Sequence, residues 1–394
     1  MNKYENYKEV NLPWIKKIPS HWNIEKINAL FSERKEKNLG SHEKFILSVM
    51  KDKGVIPYTE KGNVGNKASE KIENYKLVYP NDIVLNCMNM MIGSLGKSEY
   101  KGVLSQVYYV LKLINSKCDI DYLSYSFKNK IFYESLRVLG KGILDHRLRV
   151  PMETLKYELL PIPNYSEQRQ IVKYLDWKIG EIDKLIQIEK NKIEELEMYK
   201  LKEFNNIYKN LVNYKKIPLK RVGKIYSGKE IEDETKEGIP VYGSGKNIFK
   251  YTTKELLNGE YIIFGRKGTI GKPYKLSGKF WIVDTAYAIK NNDLVLLDYL
   301  YYLLRIFNWE DFLTNTVKPS IVANQILQVK MRIPSIEIQE KIVKNIYSLE
   351  EKLENTIKLS NKKISLLIEL KNALISEVAT GQIDVRNVKI PERK

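Results

Sequence analysis

Three charged residues in the first third of the chain are of the types that a metal-dependent nuclease uses. Asp82 is followed by Glu99 and Lys101, and in such enzymes acidic side chains hold the metal ion while a lysine helps to activate water. The pattern is degenerate in a chain with 48 acidic and 66 basic residues, and the second half of the sequence offers no counterpart of the Glu-x-Lys piece. A self-sufficient metal-dependent nuclease is therefore the alternative hypothesis, which an Asp82→Ala variant would test.

Motifs for nucleotide hydrolysis and methyl transfer are missing. A Walker loop needs Gly, four residues, and then Gly-Lys-Ser/Thr; residues 93–98 lack the first glycine, and Pro273 stands where Ser or Thr is required. We find neither the glycine-rich cofactor loop nor the Asn/Asp-Pro-Pro-aromatic motif of an amino-methyltransferase. Two cysteines and three histidines are too few for a structural zinc site. The sequence predicts no catalytic residue, no metal site and no cofactor in this chain.

Two glycine-containing loops place cations where they could meet a phosphate or a base edge. Residues 91–97 align with residues 266–272, and both segments end in Gly-x-x-Gly-Lys. Such turns expose backbone N–H groups beside the lysine, although an ordinary hairpin with a solvated lysine has the same sequence. Eight cations are the candidates for DNA contact. They come from these two loops and from the segments leading out of the two halves, with Lys246 in addition: Lys97, Arg147, Arg149, Lys246, Arg266, Lys267, Lys272 and Lys318.

The overall charge agrees with a polyanionic partner. A net charge of +18 and a pI of about 9.4 indicate nucleic acid most simply, and otherwise only a charge that keeps the chain soluble. No apolar run is long enough to cross a bilayer, and the first residues carry no hydrophobic signal core. We therefore expect a cytoplasmic protein with no membrane partner.

Two long helices must position these residues, and the sequence of the second helix repeats that of the first. When Pro163 is set against Pro334, Gln168 falls on Gln339, and residues 171–173 repeat the Ile-Val-Lys of residues 342–344. Each copy carries an apolar stripe at helical spacing. The predicted helix–helix seam consists of Ile182, Ile186, Ile193 and Leu196 in the first copy and Leu353, Ile357, Ile364 and Leu367 in the second.

A polar residue interrupts both stripes at the same register, Glu189 in the first helix and Ser360 in the second. Polar residues within an apolar seam can fix register. We therefore expect the helices to pack on each other as an antiparallel coiled coil, in preference to lying apart on the surface.

The segments before the helices also repeat, so the order is domain, helix, domain, helix. Short β-type runs at residues 45–49, 76–79, 82–85 and 107–111 precede a helix expected over residues 122–136. Tyr109 falls on Tyr287, and Asp121-Tyr122-Leu123 falls on Asp298-Tyr299-Leu300. The fold class is α+β, with two tandem mixed α/β domains and two long helices in a pseudo-twofold arrangement. We place the boundaries at residues 1–160, 161–212, 213–330, 331–385 and 386–394, and expect the segment from Asp384 onward to be unstructured.

This order has a geometric consequence. Two antiparallel helices of about 44 residues span roughly 65 Å, so they would separate two similar basic modules. Such modules would read two short DNA sites with untouched bases between them, and because the modules are not identical, the target would be asymmetric.

The whole pattern resembles the specificity subunit of type I restriction–modification enzymes. The resemblance rests on the two tandem modules, on the junctions at residues 161–168 and 333–339, on the long helix after each junction, and on the closing segment at residues 380–385. The second junction departs from the first in having Ile338 at the place of Glu167.

The resemblance implies a division of labour. Each module is a target-recognition domain for one half of a bipartite double-stranded DNA target, and residues 161–212 and 331–385 are the central and distal conserved regions. Two modification subunits, which bind S-adenosylmethionine and methylate adenine, would join this non-catalytic chain, followed by restriction subunits that use ATP and Mg²⁺. Arg266 is the candidate for a guanine contact. An architectural DNA binder is a further hypothesis, and capture of a methyltransferase subunit would argue against it.

Overall fold

The computed structural model describes residues 2–51, 53–62, 68–69, 71–142 and 148–391. The chain forms two compact units. The first consists of Met1–Ile188 and Lys363–Lys394, and the second consists of Glu189–Lys362. Each unit therefore contains one mixed α/β module together with a part of both long helices.

The first module is built from twelve short strands and four short helices in the described residues. The strands are β1 (Tyr7–Leu12), β2 (Ile15–Pro19), β3 (Asn23–Lys26), β4 (Phe31–Glu33), β5 (Leu47–Met50), β6 (Gly54–Pro57), β7 (Lys76–Val78), β8 (Ile83–Asn86), β9 (Leu95–Lys97), β10 (Gly102–Leu104), β11 (Tyr108–Leu113) and β12 (Leu159–Ile162). The helices are α1 (Ile27–Leu30), α2 (Ile120–Lys128), α3 (Lys130–Ser135) and α4 (Met152–Leu155).

An antiparallel sheet in the order β4-β11-β8-β9 is the centre of this module. Ile83 and Leu85 of β8 pack into the main core of the first unit, and Val84 packs into a smaller core on the other face of the strand. Because successive side chains of a strand point to opposite faces, a continuous apolar run such as Ile-Val-Leu becomes a strand covered on both sides.

The first long helix, α5 (Tyr165–Lys209), leads into a second module of similar plan. Its strands are β13 (Lys215–Pro218), β14 (Gly223–Ser227), β15 (Ile239–Tyr242), β16 (Ile248–Thr252), β17 (Leu257–Asn258), β18 (Tyr261–Gly265), β19 (Tyr274–Leu276), β20 (Lys279–Ile282), β21 (Ala286–Asn291) and β22 (Lys330–Ile333). Its short helices are α6 (Leu297–Arg305) and α7 (Ala323–Leu327), and α8 (Ile336–Ala379) follows. The central sheet has the order β14-β21-β18-β19, which matches the first module strand for strand.

The long helices pack antiparallel within each unit. In the first unit, Lys371 Nζ lies 2.8 Å from Asp183 Oδ1, and Ile182, Ile186 and Leu374 share one core. In the second unit, Lys200 Nζ lies 3.4 Å from Glu350 Oε1. The other predicted seam residues are half-buried: Ile193, Leu196, Leu353, Ile357, Ile364 and Leu367. Glu189 and Ser360 are both buried. The α+β fold class with two modules and two long helices is thus confirmed.

Two local predictions differ from the structure. The single helix expected over residues 122–136 is broken at Asn129, which is extended, ends α2, and accepts a hydrogen bond from Ile131 N to begin α3. The described part of the C-terminal segment, residues 385–391, forms no helix or strand, yet it is not unstructured, because Val385 is fully buried. Gln170 Nε2 donates to Val385 O at 3.0 Å and to Val388 O at 2.9 Å.

Candidate nucleic-acid interface

Three loops of the second module meet at one end of its sheet. The loop at residues 243–247 joins β15 to β16, the loop at 266–273 follows β18, and the loop at 313–322 precedes α7. Thr269 N donates to Ser244 Oγ at 3.2 Å, and Ile321 N donates to Arg266 O at 2.9 Å. These backbone and side-chain contacts hold the three loops side by side.

The middle loop needs glycine at defined points. Gly268 and Gly271 adopt φ of +76° and +78°, in the left-handed region, and a Cβ on Gly265 would lie 2.2 Å from Thr269 O. The loop therefore folds back tightly on the end of β18. This turn leaves Lys272 exposed at its far side.

Five of the sequence-predicted cations lie on these three loops, and we call them the basic loop cluster: Lys246, Arg266, Lys267, Lys272 and Lys318. Lys246, Lys272 and Lys318 are exposed, whereas Arg266 and Lys267 are half-buried. None of the five forms an ion pair with a carboxylate in the part of the chain that the structure describes. Uncompensated cations on adjacent loops form a surface suited to an anionic polymer.

Arg266 is the most firmly held member of the basic loop cluster. Its backbone N–H donates to Thr285 O at 2.8 Å, and its carbonyl accepts from Ile321 N. Its guanidinium carbon lies 5.8 Å from the centre of the Tyr287 ring. The guanidinium group of Arg266 is therefore carried by a fixed backbone and lies over an aromatic ring.

The first module does not place its predicted cations in the same way. Lys97 Nζ lies 2.6 Å from Asp121 Oδ1 and 3.0 Å from Glu99 Oε1. Burial opposes its charge, but these hydrogen bonds outweigh burial and the pKa of Lys97 is raised. Arg149 is exposed and pairs with Lys141 in a β-bridge, and hydrogen bonding to Tyr109 raises its pKa. Arg147 lies outside the described residues.

Strand pairing corrects the alignment of the two glycine loops. Lys97 pairs with Ile83, which pairs with Leu111, two residues after Tyr109. In the second module it is Lys275 that pairs with Ile262, which in turn pairs with Ile289, two residues after Tyr287. The equivalent of Lys97 is therefore Lys275 and not Lys272. Lys275 Nζ accordingly lies 2.5 Å from Asp298 Oδ1, as Lys97 pairs with Asp121.

The two acidic side chains of the nuclease hypothesis, Asp82 and Glu99, are paired with cations. Both carboxylate oxygens of Asp82 accept from Arg34, at 2.8 and 3.1 Å, and Tyr79 N donates to the same group at 2.9 Å. Glu99 pairs with Lys97. Among the described residues, no three His, Cys, Asp or Glu side chains are grouped to hold a metal ion. Asp82 thus acts as an acceptor that anchors Arg34 and a turn.

Comparison with known proteins identifies the family. The sequence profile described as "Type I restriction modification DNA specificity domain" matches residues 19–198 and again residues 208–365. The chain belongs to this family. The two matches follow the duplication seen in both sequence and structure, so each module with its helix corresponds to one specificity domain.

Relatives of the specificity family match the chain over nearly its whole length. The type I restriction enzyme MjaVIII specificity subunit of Methanocaldococcus jannaschii is 25% identical over 98% of both chains. The putative MjaX specificity subunit of the same organism is 23% identical over 98% of both chains. A solved structure, from work on the complex assembly and conformational transition of the type I R-M system, matches 94% of this chain and 100% of its own, with a TM-score of 0.58 and 12% identity. That likeness concerns the fold.

The two junctions, at residues 161–168 and 333–339, have one structural task, which both copies perform. Gln168 is fully buried; its Nε2 donates to Pro163 O at 2.8 Å and to Lys117 O at 3.2 Å, and its Oε1 accepts from Asp119 N at 2.7 Å. The side chain therefore ties the first turn of α5 to the segment that enters α2.

Gln339 repeats these contacts in the second unit. Its Nε2 donates to Pro334 O at 3.0 Å and to Leu294 O at 3.1 Å, and its Oε1 accepts from Leu296 N at 2.8 Å. A tyrosine reinforces each tie: Tyr122 OH donates to Pro161 O at 2.7 Å, and Tyr299 OH donates to Arg332 O at 3.2 Å. The two glutamines therefore fix the position of each recognition module relative to the start of its long helix.

The departure at Ile338 also has a structural reason. Glu167, buried at 3% exposure, accepts from Tyr4 OH at 2.7 Å and Trp22 Nε1 at 3.0 Å, and lies 2.9 Å from His21 Nε2. It anchors the N-terminal segment of the first module. Ile338 packs instead against the apolar core of the second unit.

Sequence reasoning missed several polar residues of the second module. Lys275, Tyr301 and Arg305 line one cleft together with Lys246 and Lys272. The recurrence of Asp121-Tyr122-Leu123 as Asp298-Tyr299-Leu300 placed the start of α6, and Arg305 lies in the last turn of that helix.

No helix in the described part of the chain combines the length and apolar character needed to cross a bilayer.

Proposed function

We propose that this chain is the DNA-recognition subunit of a type I restriction–modification complex and that its two modules read the two halves of a bipartite, asymmetric target. The observation that carries the proposal is the repeated sheet order with different loop chemistry. The loop after β18 in the second module, residues 266–273, carries Arg266, Lys267 and Lys272, whereas the corresponding loop after β8 in the first module, residues 87–94, carries no cation. Two modules that share a sheet order but differ in their loops are expected to read different half-sites.

Affinity and specificity come from different residues in this proposal. Exposed lysines contact phosphates and supply an affinity that falls with salt, whereas a few side chains in each module read base edges. The chemistry belongs to partners: two modification subunits that use S-adenosylmethionine, and restriction subunits that use ATP and Mg²⁺. The relatives' designation as specificity subunits supports this division.

The decisive experiment is methylome sequencing. The chain is expressed with its cognate methyltransferase subunit in a host without other adenine methylation, and methylated adenines are mapped. We expect one motif of two short parts separated by unspecified bases, and none when this chain is omitted. A motif that persists without this chain would refute the proposal.

A second assay separates this proposal from the nuclease alternative. The purified chain alone, with Mg²⁺ and plasmid DNA, is expected to leave the DNA intact. Cleavage that is lost in Asp82→Ala would instead assign the chain to the nuclease class.

A further inference from the structure

A basic cleft of about 460 Å³ lies beside the basic loop cluster, at the end of α6. The charged and aromatic side chains that line it are Lys246, Lys272, Tyr274, Lys275, Tyr301 and Arg305. None of its lining residues is acidic. The cleft therefore concentrates positive charge in a concave site that could hold a bound anion.

Only one of these cations is already paired. Lys275 lies 2.5 Å from Asp298 Oδ1 and donates to Tyr347 OH at 3.2 Å. Lys246, Lys272 and Arg305 have no carboxylate partner in the described residues. Arg305 uses one donor, because its Nη1 donates to Tyr301 OH at 2.9 Å. The remaining guanidinium N–H groups and the two lysine ammonium groups are left for a ligand.

The chemistry of the lining favours a phosphate over a base edge. Lys and Arg side chains only donate hydrogen bonds, and the hydroxyl of Tyr301 already accepts from Arg305. Base edges offer a mixture of donors and acceptors, whereas phosphate oxygens only accept. Thr269 and Tyr274 add hydroxyls that can also accept, but every charged group of the lining is a donor, which matches the phosphate better than a base edge.

The first module is built differently at this position. Strand register makes Gly96 of the first module the equivalent of Tyr274 in the second. The alignment of α2 with α6 makes Ser124 the equivalent of Tyr301. In place of a cleft, the β5–β6 hairpin packs there, so closely that a Cβ on Gly96 would lie 3.0 Å from Gly54 Cα. Ser94 Oγ donates to Val49 O at 2.9 Å and fastens the same hairpin. The cleft belongs to the second module's own loop chemistry.

We propose that this cleft seats one backbone phosphate of the DNA that flanks the second module's half-site, with Lys246, Lys272 and Arg305 as its ligands. The inference rests on the proposed function and deepens it. The cleft supplies affinity that does not depend on sequence and fixes the register of the module on the duplex, while the neighbouring Arg266 is left to read a base.

The test compares Lys272→Ala and Lys246→Ala with Lys254→Ala in the full chain bound to its methyltransferase subunits. Lys254 is an exposed cation that follows β16, at the opposite end of the β15–β16 hairpin from Lys246, and it pairs with Glu232. Both cleft residues are exposed, so folding should be preserved. Dissociation constants are measured against salt concentration for duplexes with the mapped target and for unrelated duplexes.

Each cleft variant is expected to reduce the slope of log K against log salt by about 1 on both kinds of DNA. Lys254→Ala should leave the slope unchanged. A scan of methylphosphonate substitutions, each of which neutralises one phosphate, should then find a single position. A methylphosphonate at this position should weaken DNA binding by the wild type but not by Lys272→Ala.

Three results would overturn the assignment. Loss of affinity for target DNA alone, at unchanged slope, would make the cleft a base reader. Unchanged binding in both cleft variants would remove it from the interface, while leaving the proposed function intact as long as the wild type prefers its target. Binding of inorganic phosphate or ATP below millimolar concentration, lost in Lys272→Ala, would assign the cleft to a free phosphate compound. A wild type without any preference for its target would instead refute the proposed function.

Discussion

Arg266 is the residue whose surroundings best separate a base contact from a phosphate contact. Its backbone is fixed by Thr285 and Ile321, and its guanidinium lies over Tyr287. A side chain anchored in this way can present a planar pair of donors, which is the geometry that a guanine edge accepts. The exposed lysines of the basic loop cluster have no comparable support.

We therefore expect Arg266→Ala to relax preference at one base position of one half-site, at a cost of about 1–3 kcal/mol. Arg266→Lys is the matched variant, because it keeps the charge and loses the fork. Base preference should be lost in both variants when all substitutions of that half-site are compared. Uniform weakening on every sequence, restored by lysine, would make Arg266 a phosphate ligand.

Glu167 shows how one residue distinguishes two otherwise repeated junctions. Its carboxylate accepts from Tyr4, Trp22 and the His21 ring at the first turn of α5. Glu167→Ile, which copies the second junction, would leave the Tyr4 hydroxyl and the Trp22 indole without their acceptor. We expect a loss of roughly 3 kcal/mol in the stability of this segment, measured by hydrogen exchange over residues 2–22.

Glu340→Gln is the control for that measurement, since Glu340 is exposed near the start of α8. Its effect should stay within about 0.5 kcal/mol. Unchanged protection of residues 2–22 in Glu167→Ile would show that the carboxylate does not anchor the segment.

At the scale of elements, periodicity and repetition predicted the long helices and the β-rich modules well. The first long helix, expected within residues 161–212, is observed at Tyr165–Lys209. The β-type run expected at residues 82–85 is observed as β8, and both faces of that strand are covered. The periodicity and the apolar runs that predict these elements are local properties of the sequence.

The predictions that were wrong or missing at this scale concern contacts that depend on tertiary packing. The Gly-x-x-Gly-Lys match aligned Lys97 with Lys272, but strand pairing makes Lys275 its equivalent. Composition could not show that Asp121 would neutralise Lys97, nor that Val385 would be buried by the start of α5. Motif spacing found the basic loop cluster, whereas Arg305 and Tyr301 needed the fold to bring them beside it.

The buried glutamines link each module to its helix, and this gives a paired prediction. Gln168→Leu removes three hydrogen bonds and leaves Asp119 N without its acceptor, at a cost of roughly 3 kcal/mol. We expect it to weaken recognition of the first module's half-site, and Gln339→Leu to weaken recognition of the second.

Each glutamine variant is the control for the other. The measurement is the methylation rate on duplexes in which one half-site at a time is altered. Equal damage to both half-sites by either single variant would mean that the glutamines only support general folding.

At the scale of the whole molecule, both long helices contribute to both compact units. Antiparallel pairing within each unit, at Asp183–Lys371 and at Lys200–Glu350, fixes the register of one helix against the other. A change in the length of one helix must then shift that register in one unit. Spacing can change without such a shift only when both helices change together.

Four residues inserted after both Ile188 and Lys362, where the two units divide, should therefore lengthen the gap between the half-sites. The insertion adds about 6 Å and rotates the helix by about 40°, close to the rise and twist of one to two base-pair steps. Methylome mapping should recover both half-sites unchanged with a gap one or two base pairs longer. The insertion after Ile188 alone is the control, and it should impair methylation because it displaces one unit's helix pairing. If the matched insertion left the gap unchanged, or altered the half-sites themselves, the helices would not set the spacing.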